Sequence, residues 1–271
     1  MQLVELIHYI FLAIVQGVTE PIPVSSSGHL AIVNAFLETD VDFESLAVIS
    51  NFGSLIAIII LFRNDLIKLV KSFFGYLSTK KSEYKKEYIY CWLIVLGCIP
   101  AGVLGVIVSK LGILDIIADN LKIVGVGLLL TAGFLYWIRN YKGDKSSDEI
   151  TVKNAFVVGL FQIISLFPGI SRSGATITGG LFQGLKRDTA FKYSFMLYIP
   201  ISIAAMALEM NHLIRAENTH VMWIYYSIVI IVSAVVTYFV TRWFRSIVNK
   251  GKLIYFSIYC LIAGLLVVIF M

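Results

Sequence analysis

The sequence predicts an all-α polytopic membrane protein, and three observations carry that reading. Of its 271 residues 58% are apolar or aromatic and 14% are charged, where a soluble domain carries about 25% charge. Mean hydropathy is +0.85, which leaves too little polar surface to cover a water-soluble globule. The apolar residues fall in runs of about 20, the length of a helix crossing lipid, rather than in the ten-residue alternating segments of a barrel. Lipid admits only these two ways of satisfying the backbone.

Six runs read as plain transmembrane helices: 45–62, 88–108, 121–138, 191–210, 221–240 and 253–271. Two further apolar stretches, 3–37 and 155–185, are each broken at the centre, by TEPIPVSSSGH (19–29) and by FPGISRSG (167–174). Pro and Gly interrupt the helix there and set polar groups at mid-membrane depth. Cys91, Cys98 and Cys260 lie inside apolar runs and read as small core residues rather than a disulfide framework. Without a basic segment ahead of the first run or a cleavage site after it, no removable signal peptide is expected.

An interrupted segment followed by three plain spans occurs twice, predicting one membrane domain over 1–271 built from repeats at about 1–138 and 153–271. An offset of 146 residues pairs Gln16 with Gln162, Ser25 with Ser171, Ser27 with Ser173 and Gly28 with Gly174, and sets Ser26 opposite Arg172.

Loop charge decides the placement of the second interrupted segment, and the repeat decides the first by analogy, since residues 1–44 hold no Lys or Arg. If both interrupted segments dip in and return, Lys110, Lys122 and Arg215 are the basic loop residues of one face and nearly all others share the opposite, cytoplasmic face. A crossing by the second segment would split them almost evenly, against the positive-inside rule. The prediction is six spans plus two re-entrant helix-loop-helix hairpins, in an inverted-topology repeat with both termini outside. The net charge of +5 is then loop charge and calls for no nucleic acid. The basic stretch Lys80 to Lys86 is a cytoplasmic loop near lipid headgroups.

At the two breaks, Ser25 or Ser26 can cap the return helix of the first hairpin, and Ser171 can cap a helix beginning at Arg172. Two helix N-termini pointing into one place make an anion site, and phosphate is the natural guest. Ser25, Ser27, Gly28, Ser171, Ser173 and Gly174 are the candidate binding residues, although small residues in membrane helices also serve close packing. Arg172 offers a planar fork for phosphate, and Glu20 is its natural counter-charge. Gln16, four residues before Glu20, shares its helical face, and the two offer oxygens of the kind Mg²⁺ or Ca²⁺ takes. His29 follows Ser26 by three residues, a spacing that permits a Ser nucleophile with a His base, or a His that protonates a leaving phosphate. His8, His212 and His220, near predicted interfaces, read as ordinary, and Glu209 as a solvated end residue.

With QGVTE (16–20), PVSSSGH (23–29) and PGISRSG (168–174), the sequence resembles the undecaprenyl-diphosphate phosphatases, a bacterial membrane family also named for bacitracin resistance. The resemblance implies hydrolysis of undecaprenyl diphosphate to undecaprenyl phosphate and inorganic phosphate, recycling the lipid carrier of cell-wall polymers. It implies a multi-pass protein of the bacterial plasma membrane with its site facing outward. It also implies catalytic roles for Glu20, Ser26, His29 and Arg172, and Mg²⁺, or alternatively Ca²⁺, held by Glu20 and Gln16. Gln at position 16 is a variant of a Glu/Gln position and supplies one anionic ligand fewer. Whether Ser26 attacks phosphorus or orients water stays open at this level, as does oligomeric state, homo-oligomers included. The competing reading is a polyprenyl-phosphate flippase or anion transporter, since broken helices in an inverted repeat also build transporters.

Overall fold

The computed structural model describes residues 2–37, 43–112, 120–215 and 220–271. Its helices are α1 Gln2–Thr19, α2 Ser26–Leu37, α3 Phe43–Leu61, α4 Arg63–Thr79, α5 Lys85–Lys110, α6 Leu121–Ile138, α7 Val152–Ile164, α8 Arg172–Phe182, α9 Arg187–Arg215, α10 His220–Asn249 and α11 Ile254–Phe270. Among the described residues there is no strand, only one parallel bridge between Lys145 and Leu185. Most of the predicted loop around Asp40 and the side chains of Glu209, His212 and His220 lie outside the described residues.

Among the described residues, four helical stretches are long and apolar enough to cross a membrane: Ser82–Lys110, Leu121–Ile138, Arg187–Leu208 and Met222–Asn249. The predicted plain span at 45–62 is instead the first arm of a bent pair, Ser45–Leu61 and Arg63–Thr79, which turn by 74°. α4 went unpredicted because Arg63, Asp65, Lys68 and Lys71 end the apolar run. Yet Leu66, Ile67, Leu69, Val70, Phe73, Phe74 and Leu77 recur at helical spacing between those charges, the pattern of an interfacial amphipathic helix. The last predicted span is α11, with 17 residues, about 25 Å at 1.5 Å per residue.

The exterior is apolar. Only 17% of the most apolar stretch of α5 is buried, and Trp92, Val95, Ile99 and Val103 face outward, which water would penalise and lipid does not. The interior carries polar links between helices. Ser54 and Thr237 hydroxyls lie 2.9 Å apart between α3 and α10, Thr237 donates to the Gly17 carbonyl at 3.2 Å, and Thr176 of α8 meets Ser194 of α9 at 2.6 Å. Such bonds contribute about 0.6 kcal/mol each in a membrane bundle.

The pairing of helices positions the site. α1 lies on α10 and α7 on α5; α3 packs on α10 and α9 on α5; α1 folds back on α2 and α7 on α8; α6 and α11 run against each other. Close approach of that last pair depends on small residues, since a Cβ on Gly264 would stand 2.9 Å from the Gly125 carbonyl oxygen. α7 begins at a reciprocal cap, Thr151 accepting from the Asn154 N–H at 3.2 Å and Asn154 accepting from the Thr151 N–H at 3.0 Å.

Candidate active site

In the first hairpin the Glu20 N–H still donates to the Gln16 carbonyl at 2.8 Å, so α1 carries its geometry as far as the carboxylate. Pro21 and Pro23 supply no N–H and end it. Ser25 then adopts φ +68°, a left-handed conformation costing an L-residue about 1–2 kcal/mol. Two bonds offset that cost: the Ser25 hydroxyl accepts from the Gly28 N–H at 3.3 Å and its carbonyl from the His29 N–H at 3.1 Å. Of the two serines the sequence allows, Ser25 is the cap and Ser26 is left for other work.

The second hairpin turns at Pro168 and Gly169. Gly169 has φ +83°, and a Cβ there would stand 2.1 Å from the Val124 carbonyl oxygen; one on Gly127 would stand 2.1 Å from the Pro168 carbonyl oxygen. The tip is therefore seated on the backbone of α6. Thr131 of α6 accepts from the Ser171 N–H at 3.0 Å, and the Ser171 hydroxyl caps α8 by accepting from the Gly174 N–H at 3.2 Å. The tips touch: Ser173 donates to the Ile22 carbonyl at 3.3 Å. A Cβ on Gly174 would lie 3.3 Å from Pro23 Cβ, and one on Gly28 3.4 Å from Gly169 Cα. Ser25 and Ser27 hydroxyls are 3.5 Å apart, those of Ser171 and Ser173 3.2 Å.

The charged centre lies between the tips. Arg172 Nη2 donates to Glu20 Oε1 at 2.5 Å, with side chains 18% and 12% exposed. The other carboxylate oxygen, Oε2, accepts from Gln16 Nε2 at 3.0 Å and from the Ser26 hydroxyl at 2.5 Å. The Arg172 guanidinium lies 4.0 Å from the Tyr198 ring centre, and the Tyr198 hydroxyl donates to Asn51 Oδ1 at 2.8 Å. A lone charge at the centre of a membrane helix costs about 2.5–3.5 kcal/mol on the insertion scale, and pairing and stacking of this kind offset such a cost. Glu20, Ser25, Ser26, Ser27, Ser165, Ile170, Ser171, Arg172 and Ser173 line a cavity of about 110 Å³. First-turn N–H groups of α2 and α8 have no acceptor within their own helices beyond the capping serines.

His29 is placed differently from the expectation. Its Nδ1 lies 2.8 Å from the Ser25 carbonyl and its Nε2 2.6 Å from the Tyr259 hydroxyl, so the Ser26–His29 contact permitted by their spacing is not formed. The Ser26 hydroxyl points to Glu20, which can take its proton. Tyr198, Thr131, Ser165 and Tyr259 all touch this machinery and lie outside both motifs, with no local signal to distinguish them from ordinary helix residues.

A second cleft, of about 280 Å³, opens among Asp65, Lys68, Lys86, Glu87, Asp148, Asp188 and Lys192. Its lysines are matched internally, Lys68 with Glu87 at 2.5 Å and Lys86 with Asp148 at 3.1 Å, which leaves little positive charge for a phosphate. No group of three His, Cys, Asp or Glu gathers among the described residues. The donors at the hairpin tips are one carboxylate, one amide and hydroxyls. That set suits Mg²⁺, which takes one or two carboxylates and completes its shell with water and substrate phosphate.

Fold and site together define a helical membrane protein with a Glu20–Arg172 ion pair and two capped helix N-termini gathered at an oxyanion-sized cavity. The chain belongs to the bacitracin resistance protein BacA family, whose pattern matches residues 9–266. It is 40% identical over 270 residues, covering all of both chains, to "Undecaprenyl-diphosphatase 1" of Bacillus licheniformis. It is 41% identical over 265 residues to "Undecaprenyl-diphosphatase 1" of Halalkalibacterium halodurans, covering 97% of this chain and 95% of the relative. Its identity to "Undecaprenyl-diphosphatase 2" of Bacillus thuringiensis is 38% over 270 residues, 100% of this chain and 99% of the relative.

Proposed function

We propose that this chain hydrolyses undecaprenyl diphosphate to undecaprenyl phosphate and inorganic phosphate in the bacterial plasma membrane, returning the lipid carrier to cell-wall synthesis and raising resistance to bacitracin. The observation that carries this reading is the Glu20 carboxylate, held on one side by Arg172 and on the other by the Ser26 hydroxyl, beside two helix N-termini. Arg172 and the N–H groups of α2 and α8 bind the terminal phosphoryl group and neutralise charge developing on it. Ser26 Oγ attacks phosphorus and its proton passes to Glu20. The bridging P–O bond breaks, and undecaprenyl phosphate leaves. Water then attacks phosphorus, the P–Oγ bond breaks, Glu20 returns its proton to Ser26 Oγ, and the water oxygen leaves as part of inorganic phosphate. Glu20 and the Gln16 amide oxygen would hold Mg²⁺, whose contribution when bound is to neutralise phosphate charge. The polyprenyl tail needs only an apolar groove between helices.

The test is phosphate release by the purified protein in detergent. We expect release with Mg²⁺, loss on chelation, and recovery when Mg²⁺ is returned. Release untouched by chelation would remove the metal and leave the hydrolase. No release at all, with tail-dependent transfer across liposomes, would favour a flippase.

For topology the reading is six spans with two hairpins entering from opposite faces, the tips meeting near the midplane and the site open outward. It is supported by the exchange of helix contacts between halves, α1 on α10 against α7 on α5, and by matched tip contacts, Pro23 with Gly174 and Gly169 with Gly28. Asp40, the natural outer probe, lies outside the described residues, so Lys122 serves instead. In a background lacking Cys91, Cys98 and Cys260, single cysteines at Lys122 and Lys186 are expected to label from opposite faces of the membrane. Labelling from one face would overturn the inverted arrangement.

A further inference from the structure

Arg172 is set in register against the helix that follows it. Three contacts join α8 to α9: a Cβ on Gly180 would stand 3.0 Å from Ala190 Cβ, the Thr176 and Ser194 hydroxyls lie 2.6 Å apart, and the Arg172 guanidinium carbon lies 4.0 Å from the centre of the Tyr198 ring. From one pair to the next the residue number falls by four on α8 and rises by four on α9, the spacing that keeps side chains on one face of each helix. The Thr176 hydroxyl donates to the Arg172 carbonyl at 2.9 Å. Its single hydrogen is then used, so Ser194 is the donor to Thr176, and this chain of bonds ends on the backbone of the arginine.

Tyr198 is held at its far end as well. Its hydroxyl donates to Asn51 Oδ1 of α3 at 2.8 Å, and the residue is 1% exposed. The ring is thus a fixed wall between α8 and α3. It covers one face of a guanidinium that lines the cavity, while Tyr198 itself stays behind, outside the lining. The Glu20 contact falls on Nη2 and uses one of the five N–H donors of the fork. Where the others point depends on the plane in which the fork lies.

We propose that Tyr198 is a positioning residue of the reaction, acting through Arg172. Its ring fixes the plane of the guanidinium so that the donors not used by Glu20 open onto the terminal phosphoryl group. The proposal rests on the hydrolase reading above. Without the ring the fork is tied at one atom and can swing about it. Its charge stays in the cavity, so substrate is still captured, but its donors no longer stand where charge develops, and the loss falls on the chemical step.

The experiment is a double-mutant cycle on the full-length protein in detergent, following phosphate release from a polyprenyl diphosphate with Mg²⁺ present. Tyr198→Leu is expected to lower kcat about 10–10²-fold with KM changed less than about 3-fold. Tyr198→Phe keeps the stacked ring and is expected to stay within about 3-fold of wild type. In an Arg172→Lys background, which has no plane to orient, Tyr198→Leu is expected to cost less than about 3-fold. As a second measurement that folding does not confound, pentafluorophenylalanine at position 198 keeps the shape of Phe but reverses the charge on the ring face. Its kcat is expected to fall about 10-fold below that of Tyr198→Phe. A folded Tyr198→Leu at wild-type rate, an equal loss in both backgrounds, a Phe variant as slow as Leu, or a fluorinated ring as fast as Phe would each overturn the proposal. An inactive wild-type protein would instead overturn the hydrolase reading, which separates the two failures.

Discussion

Replacing Arg172 by Ala is expected to lower kcat for phosphate release by about 10³–10⁵, and by Lys about 10²–10³, measured on monodisperse protein in detergent. The larger figure is the range for a guanidinium that stabilises a transferring phosphoryl group. Lys keeps the charge but loses the planar fork and the stack on Tyr198, which lies 4.0 Å from the guanidinium carbon. Ala has a second effect, because it strands the Glu20 carboxylate, only 12% exposed. Removing one partner of a buried pair costs about 3–5 kcal/mol, so Arg172→Ala is also expected to lower the melting temperature, and Arg172→Lys much less. Near wild-type activity in Arg172→Lys would show that charge alone suffices and that the bidentate role is wrong.

Glu20→Gln is expected to cost at least about 10³ in kcat with a smaller change in KM. The amide is isosteric, yet it removes the proton acceptor for Ser26 and the only formal negative charge opposing Arg172 at the tips. It also presents an NH₂ group to at least one of the three donors, Arg172, Gln16 and Ser26, that now converge on the carboxylate. Activity within 10-fold of wild type would exclude Glu20 as the base. A loss seen only in KM would make it a binding group.

The two breaks were legible because they contradict their surroundings. Glu20, His29 and Arg172 are polar groups in apolar runs, and Pro21, Pro23, Pro168 and Gly169 are helix breakers where a span should continue. The offset that pairs Ser25 with Ser171 was visible for the same reason. Between the breaks the signal fades. Tyr198 and Tyr259 are ordinary tyrosines of apolar helices, and nothing in their neighbourhoods along the chain marks one as the stacking face for Arg172 or the other as the partner of His29. α4 carried a readable amphipathic spacing that a search for uninterrupted apolar runs passes over.

The Ser26–His29 expectation shows where spacing stops being informative. Three residues along a helix put two side chains on one face, but the direction each takes depends on what stands opposite. Here a carboxylate 6 residues back captured the serine, and a phenol 230 residues on captured the histidine.

Composition and the polar breaks were enough to read a helical membrane protein with a polar centre at its two breaks, since lipid tolerates unpaired backbone and charge so poorly that each exception must have a purpose. Which groups share a proton, which ring supports the guanidinium and which helix holds the histidine depended on contacts between segments far apart in the chain. Those choices follow from hydrogen-bond reach of about 3 Å and from close packing at glycines, and neither is encoded in the order of neighbouring residues.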